Sequence, residues 1–250
     1  MIVLTTLGAP QRRMLERRRR PRATAGAEPE PVPTARATLA RAAPLPSPSE
    51  ASAWLDGLRE DRGGLRREAD EAVAALNSLL RAHRACAADP YARDVSVEHA
   101  LRARVGYGSG DHVAEGRVEE AVEVPREAPR ESRQDRLSPQ ERLAAVLGGR
   151  VGLLACEELV LRARADLDAG RHREAALQAR IALEAALAEL DPAAAGVGEL
   201  GGRRAAIGQA ANEALAGEPG ERSRTAVEEA VALLERALRR RRLADVRDDV

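Results

Sequence analysis

The chain has 250 residues, of which 32% are charged, and 40 basic residues balance 40 acidic ones. Every basic residue other than His is Arg, and Phe is absent altogether. Without a single Lys the chain cannot form a P-loop, a Schiff base or a pyridoxal-phosphate site from its own side chains.

Abundant Ala, Arg, Gly and Pro point to a GC-rich coding sequence, so an Arg run carries less functional information here than usual. The apolar residues are mostly Ala, Leu and Val, which favours helices over sheets. An Ala-rich helix face allows close approach but buries little area. At roughly 25 cal/mol per Å², such a core is thin and needs Leu at most layers or help from a partner. Cys86 and Cys156 both fall on predicted helical stripes and read as buried, reduced thiols of a cytoplasmic protein. No run is long enough to span a membrane, and the opening MIVLTTLGAPQ has the wrong order for a signal peptide.

Residues 1–47 read as a disordered basic Pro/Ala-rich tail. Arg12 to Arg22 holds seven Arg and one Glu. Met14 offers an alternative start to Met1. Residues 48–124 form a predicted N-terminal helical part. Ser47-Pro48-Ser49-Glu50 is a helix start, and the helix runs to about Arg59 with Trp54, Leu55 and Leu58. A turn at Asp61–Gly64 leads into a second helix with the seam Leu65, Ala69, Ala72, Leu76, Leu79, His83, Cys86, ending near Ala88. Asp89-Pro90 starts a third helix, to about Val105, carrying Tyr91, Val95, Val97 and Leu101. Gly106-Tyr107-Gly108-Ser109-Gly110 is a loop. A turn and short helix follow, although 117–124 partly alternates as a strand would.

Residues 125–137 are a charged linker, and 138–243 are a predicted C-terminal helical bundle. Ser138-Pro139-Gln140-Glu141 opens a short helix ending at Gly148-Gly149. From Leu153 to Leu190 two amphipathic helices form a hairpin. Leu153, Cys156, Val160, Ala163 and Leu167 stripe the first, and Ala176, Ala179, Leu183, Ala186 and Leu190 the second. Gly170 sits where a left-handed cap belongs. Residues 192–202 read as a Gly/Ala loop, Arg203–Ala216 as a helix, and Thr225–Glu228 as the capping box of a last helix ended by Arg239–Arg242. Residues 244–250 fray. The fold class is all-α: antiparallel helix hairpins or a bundle behind a disordered N-terminal tail.

The stretch 159–192 resembles a single tetratricopeptide repeat, through Ala163 and the Gly170–Ala175 turn into its second helix. It departs from that repeat at Asp166, Ala179 and Pro192. The same hairpin resembles HEPN-type helical domains, through Ala169-Gly170, Ala175 and Ala182-Leu183-Glu184-Ala185. The HEPN resemblance implies an RNase whose Arg and His lie four to six residues apart, a separation that Arg93 and His99 share. As a whole the chain resembles Ala/Arg-rich helical proteins of GC-rich bacteria.

The candidate sites each have a plain structural alternative. Gly106–Gly110 could form a backbone nest for an anion or be a flexible loop. His83 and Cys86, with His99 or His112, could ligate a metal or simply pack. Ser109, Asp111 and His112 have the residue types of nucleophilic catalysis without a nameable oxyanion motif. Arg239–Arg242 could bind nucleic acid or only end a helix. No catalytic, cofactor-binding or metal-ligating residue is assigned, and no cofactor is expected. The leading expectation is a non-enzymatic interaction or scaffold protein with a protein partner or self-association. The alternatives are nucleic-acid association through Arg12–Arg22 and, last, a HEPN-like RNase.

Overall fold

The computed structural model describes residues 1–7, 32–41, 43–125, 133–193 and 196–247, with the side chains of 133–138 and 243–247 set aside. The structure is 62% helical, with eight helices and only two small strand pairs among the described residues, which is the all-α class that the composition predicts. It divides into two units, Met1–Glu127 and Ala128–Val250.

In the first unit β1 (Ile2–Leu7) pairs antiparallel with β2 (Thr34–Leu39), Val3 opposite Thr38 and Thr5 opposite Arg36. The reading of 1–47 as disordered is therefore corrected at its two ends. The alternating TARATL and the β-branched IVLTT suit a strand pair whose long sequence separation hides it from local pattern. Residues 8–31, and with them Arg12–Arg22, lie outside the described residues.

Helix α1 (Pro48–Glu60) starts as its sequence predicts: the Glu50 N–H donates to the Ser47 hydroxyl at 3.2 Å, and Pro48 occupies the first turn. Only Asp61 separates it from α2 (Arg62–Ala87), so the Gly pair expected in a turn lies in α2's first turn instead. At Gly64 a Cβ would meet the Asp61 carboxylate at 2.5 Å. The Gly64 and Gly63 amides together with Arg67 hold that carboxyl below its ordinary value, the Gly64 amide most of all.

The predicted seam of α2 is buried at Leu65, Ala69 and Leu76, then runs out of cover. Leu79, His83 and Cys86 are exposed, which corrects the expectation of a buried Cys86. Ala88 ends the helix in the left-handed region at φ 51°, and the Asp89 N–H reaches back to the Arg84 carbonyl.

No helix follows over 89–105. Asn77 on α2 clasps the backbone of Val95, donating to its carbonyl at 2.9 Å and accepting from its N–H at 2.8 Å. Arg81 pairs with Asp94 at 2.7 Å. Side-chain amide bonds thus replace the helical ones, and the non-helical chain delivers Val97 to the core. Next come β3 (Arg104–Tyr107), α3 (Asp111–Ala114) and β4 (Glu120–Glu123), with β3 and β4 antiparallel and Val105 opposite Val122. The core here is small: Leu58, Leu65, Ala69, Val97 and Val124, with Trp54 packed against it.

In the second unit α4 (Arg133–Leu147) begins five residues before its predicted start, with Pro139 inside it. Helix α5 (Ala155–Asp168) and α6 (His172–Glu189) form the antiparallel hairpin. Its turn is as read from the sequence: Gly170 has φ 66°, its N–H meets Leu167 O at 2.9 Å, and Arg171 N–H meets Asp166 O at 2.8 Å. Leu153 lies outside α5 and is exposed, so the buried stripe starts at Cys156.

Helix α7 (Val197–Ala216) runs through Gly198, Gly201 and Gly202, a stretch predicted as loop. Burial of Val197 and Leu200 outweighs the helix cost of those glycines. Helix α8 (Glu221–Arg247) closes the bundle, and α6 packs against α5, α7 and α8. Alanine is the commonest residue in this core, which is filled by Leu183, Leu200, Ile207, Leu234 and Leu238. Among the described residues no helix is long and apolar enough to cross a membrane.

Trp54 is the only Trp, so its fluorescence reports the first unit alone. In urea titrations followed by that signal, Ala88→Gly raises stability by about 1 kcal/mol, because Gly carries no Cβ penalty at positive φ. Asn77→Ala lowers it by about 1–3 kcal/mol, the worth of two backbone bonds left unmade. An unmoved midpoint in either variant contradicts the corresponding contact.

Candidate functional site: the charged end of the bundle

Glu157 sits in the first turn of α5 and is 6% exposed. Its position three residues after Leu154 lets Oε2 accept the Leu154 N–H at 3.2 Å. Arg142 of α4 donates through Nη2 to both carboxylate oxygens, at 2.8 and 2.9 Å. Arg241 and Arg242 of α8 approach Oε1 at 3.8 and 3.6 Å. Burial pushes this carboxyl upward, but Arg142, the Leu154 amide and Arg242 outweigh it and hold it below the ordinary range.

Glu189, the last residue of α6, accepts the Ala155 N–H at 3.2 Å and the Cys156 N–H at 2.9 Å, and so covers two of the free amides that open α5. Those amides, that of Cys156 first, keep its own carboxyl below the ordinary range. The Cys156 thiol is fully buried, and burial, then the hydrogen bond to Glu189, pushes it up to about 12. A thiol so placed stays protonated and is a poor nucleophile or metal ligand. The cluster is therefore a clasp in which one carboxylate ties α4 and α8 to the start of α5.

The other two polar residues that are buried as a whole among the described residues, Asp166 and Ser223, are also engaged. Asp166 pairs with Arg171 at the α5–α6 turn, and Ser223 bonds Glu213, which sits below its ordinary value for that reason first. No sequence pattern marked Glu157, Arg142 or Glu189 as a group, since they are far apart in the chain. The only local sign was an acidic residue in the first turn of a helix.

The candidates singled out from the sequence do not converge. Gly106 lies inside β3, where a Cβ would meet the Glu120 carbonyl at 2.2 Å, so close strand approach requires this glycine. Ser109 donates to Glu119 at 2.7 Å. Asp111 and His112 begin the short α3. Arg93 and His99 are exposed on the non-helical stretch after α2, and His99 Nδ1 is bonded to Ser96 at 2.8 Å. His83 and Cys86 are exposed on α2, and no three His, Cys, Asp or Glu side chains gather as a metal site among the described residues. In the Arg239–Arg242 run, Arg241 and Arg242 are turned toward Glu157. No family model, curated protein or solved structure matches the chain.

Glu157→Gln removes the charge that offsets Arg142 and costs about 3–5 kcal/mol at neutral pH. The folded carboxyl binds its proton less tightly than the unfolded one, so its stability contribution is complete above the unfolded value of about 4.3. That contribution falls away as pH drops through the folded value. Urea denaturation followed by circular dichroism therefore finds wild type and Glu157→Gln far apart at pH 7 and converging in acid. A gap independent of pH contradicts the ion-pair account.

Proposed function

We propose that this chain works by holding another protein on its helical surface. The observation that carries this reading is the outer stripe of α4. Leu143 and Leu147, one turn apart, are 57% and 78% exposed, while Ala145 between them is buried. Residues at i and i+4 share a helix face, so the two side chains form one ridge.

Arg142 anchors α4 from behind through Glu157. The ridge is thus carried on a helix already held in place, and docking it costs little ordering entropy. A leucine pair on an exposed helix suits the groove or helix face of a partner protein. The engagement of Glu157, Asp166 and Ser223 in structural pairs supports the same reading, because those groups serve the fold.

Crosslinking mass spectrometry in the cells that make the protein, comparing wild type with Leu143→Glu/Leu147→Glu, tests it. The expected outcome is loss of a reproducible α4-crosslinked partner by about tenfold or more, with unchanged helical circular dichroism. An identical set of crosslinks in the double variant overturns the proposal.

A further inference from the structure

Among the described residues the outer edge of β1 is open: the ribbon has two strands, β1 and β2, and no third described strand lies beside either. Met1 and Ala40 exchange both backbone bonds, the Met1 amino group donating to Ala40 O at 2.7 Å and the Ala40 N–H to Met1 O at 2.9 Å. In an antiparallel ladder such doubly bonded pairs alternate along the strand. With Val3 opposite Thr38 and Thr5 opposite Arg36, the residues bonded to β2 are Val3, Thr5 and Leu7. Ile2, Leu4 and Thr6 therefore turn their N–H and C=O groups away from β2.

The two sides of the ribbon also differ. Arg36 of β2 lies against Gly116, and Val3 and Thr5 on that same side are partly buried. Leu4, Thr6, Ala35 and Ala37 on the other side are exposed, Leu4 by 56%. Strand edges are usually guarded by a charge, a proline or a bulge. IVLTTL has no charge and no proline, and its register with β2 runs without a bulge.

We propose that this edge pairs with β1 of a second copy of the chain, giving a continuous β2–β1–β1–β2 sheet across a two-fold axis at Leu4. Around that axis Leu4 faces Leu4 of the second copy, and Ile2 faces its Thr6. Each of these pairs joins residues whose backbone groups already point outward, so each exchanges both its bonds. The match in charge favours a copy of the same strand: an uncharged edge meets an uncharged edge, with no repulsion between like strands and no charge to select an acidic or basic segment. The ribbon is held to the rest of the unit through β2, which packs against α2 and α3, and pairing adds a ladder on the β1 side. The two-fold pairing uses up the β1 edge, and the remaining outer strand, β2, carries the charge of Arg36 and is held against those helices, so assembly stops at the dimer. This inference is independent of the leucine ridge on α4.

The test is the mass of the full-length protein by light scattering across a dilution series. Wild type is expected at twice the chain mass. Leu4→Pro removes the central outward N–H without touching the β1–β2 ladder and halves the mass. Trp54 fluorescence unfolding checks that the first unit remains folded. Should proline disturb the ribbon, Leu4→Lys and Leu4→Glu replace it: each alone is monomeric because like charges meet at the axis, and their mixture recovers the dimer mass. The proposal is overturned by a wild-type monomer at all concentrations or by assemblies larger than two. It is equally overturned by a dimer that survives all three substitutions, including one dissociated by Leu143→Glu/Leu147→Glu instead.

Discussion

The second unit depends on alanine at the α5–α6 crossing. Ala163, Ala175, Ala176, Ala179, Ala182 and Ala186 are all closed to solvent. Small side chains let helices approach toward the low end of the usual separation of about 8–10 Å. Close approach multiplies backbone dispersion contacts but leaves little apolar area per residue. The missing volume comes from the larger side chains of α6, α7 and α8. That requirement explains why α7 extends back through three glycines to bury Val197 and Leu200. The helix is lengthened where the core needs its side chains, against local preference.

A surface of alanine offers few knobs to fix one helix against another along its axis. Arginine supplies the register. Arg164 of α5 reaches Glu235 of α8 with two parallel bonds, 2.8 and 2.9 Å, and Arg204 of α7 reaches Glu184 of α6 the same way, at 2.9 and 2.6 Å. The planar guanidinium has only a narrow set of such geometries, so a shift of one turn breaks both bonds together. The exposed Arg204–Glu184 pair adds little stability, and the half-buried Arg164–Glu235 pair somewhat more. Glu157 differs because it is buried, and there a lost partner leaves a charge with no water to replace it.

The first unit solves a harder problem with fewer apolar residues. Its main cluster has five buried side chains with Trp54 and a few partly buried residues against it, and much of the chain around it is neither helix nor long strand. Backbone groups there are satisfied singly, by the Asn77 amide, by the Asp89 carboxylate on Tyr91 N–H at 2.9 Å, and by the short β3–β4 ladder. The two units also differ in what they expose among the described residues: one presents the Leu143–Leu147 pair on a helix, the other the β1 strand edge.

Wherever a short stretch holds its own answer, the sequence alone determined the structure. The Ser47-Pro48 start of α1, the Gly170 stop between α5 and α6, and the Ala176–Leu190 stripe were all legible, because caps and helical periodicity act within a few residues. The all-α class followed from the same periodicity. The segments decided by tertiary structure are those whose partners lie far along the chain. Val95 lies outside any helix because Asn77 meets its backbone from another element, and β1 exists because β2 lies 27 residues further on. His83 and Cys86 carry the seam spacing, but both are exposed among the described residues. Glu157, Arg142 and Glu189 come together only once the helices are stacked, because periodicity names the face a helix buries and is silent on which charged ends will meet.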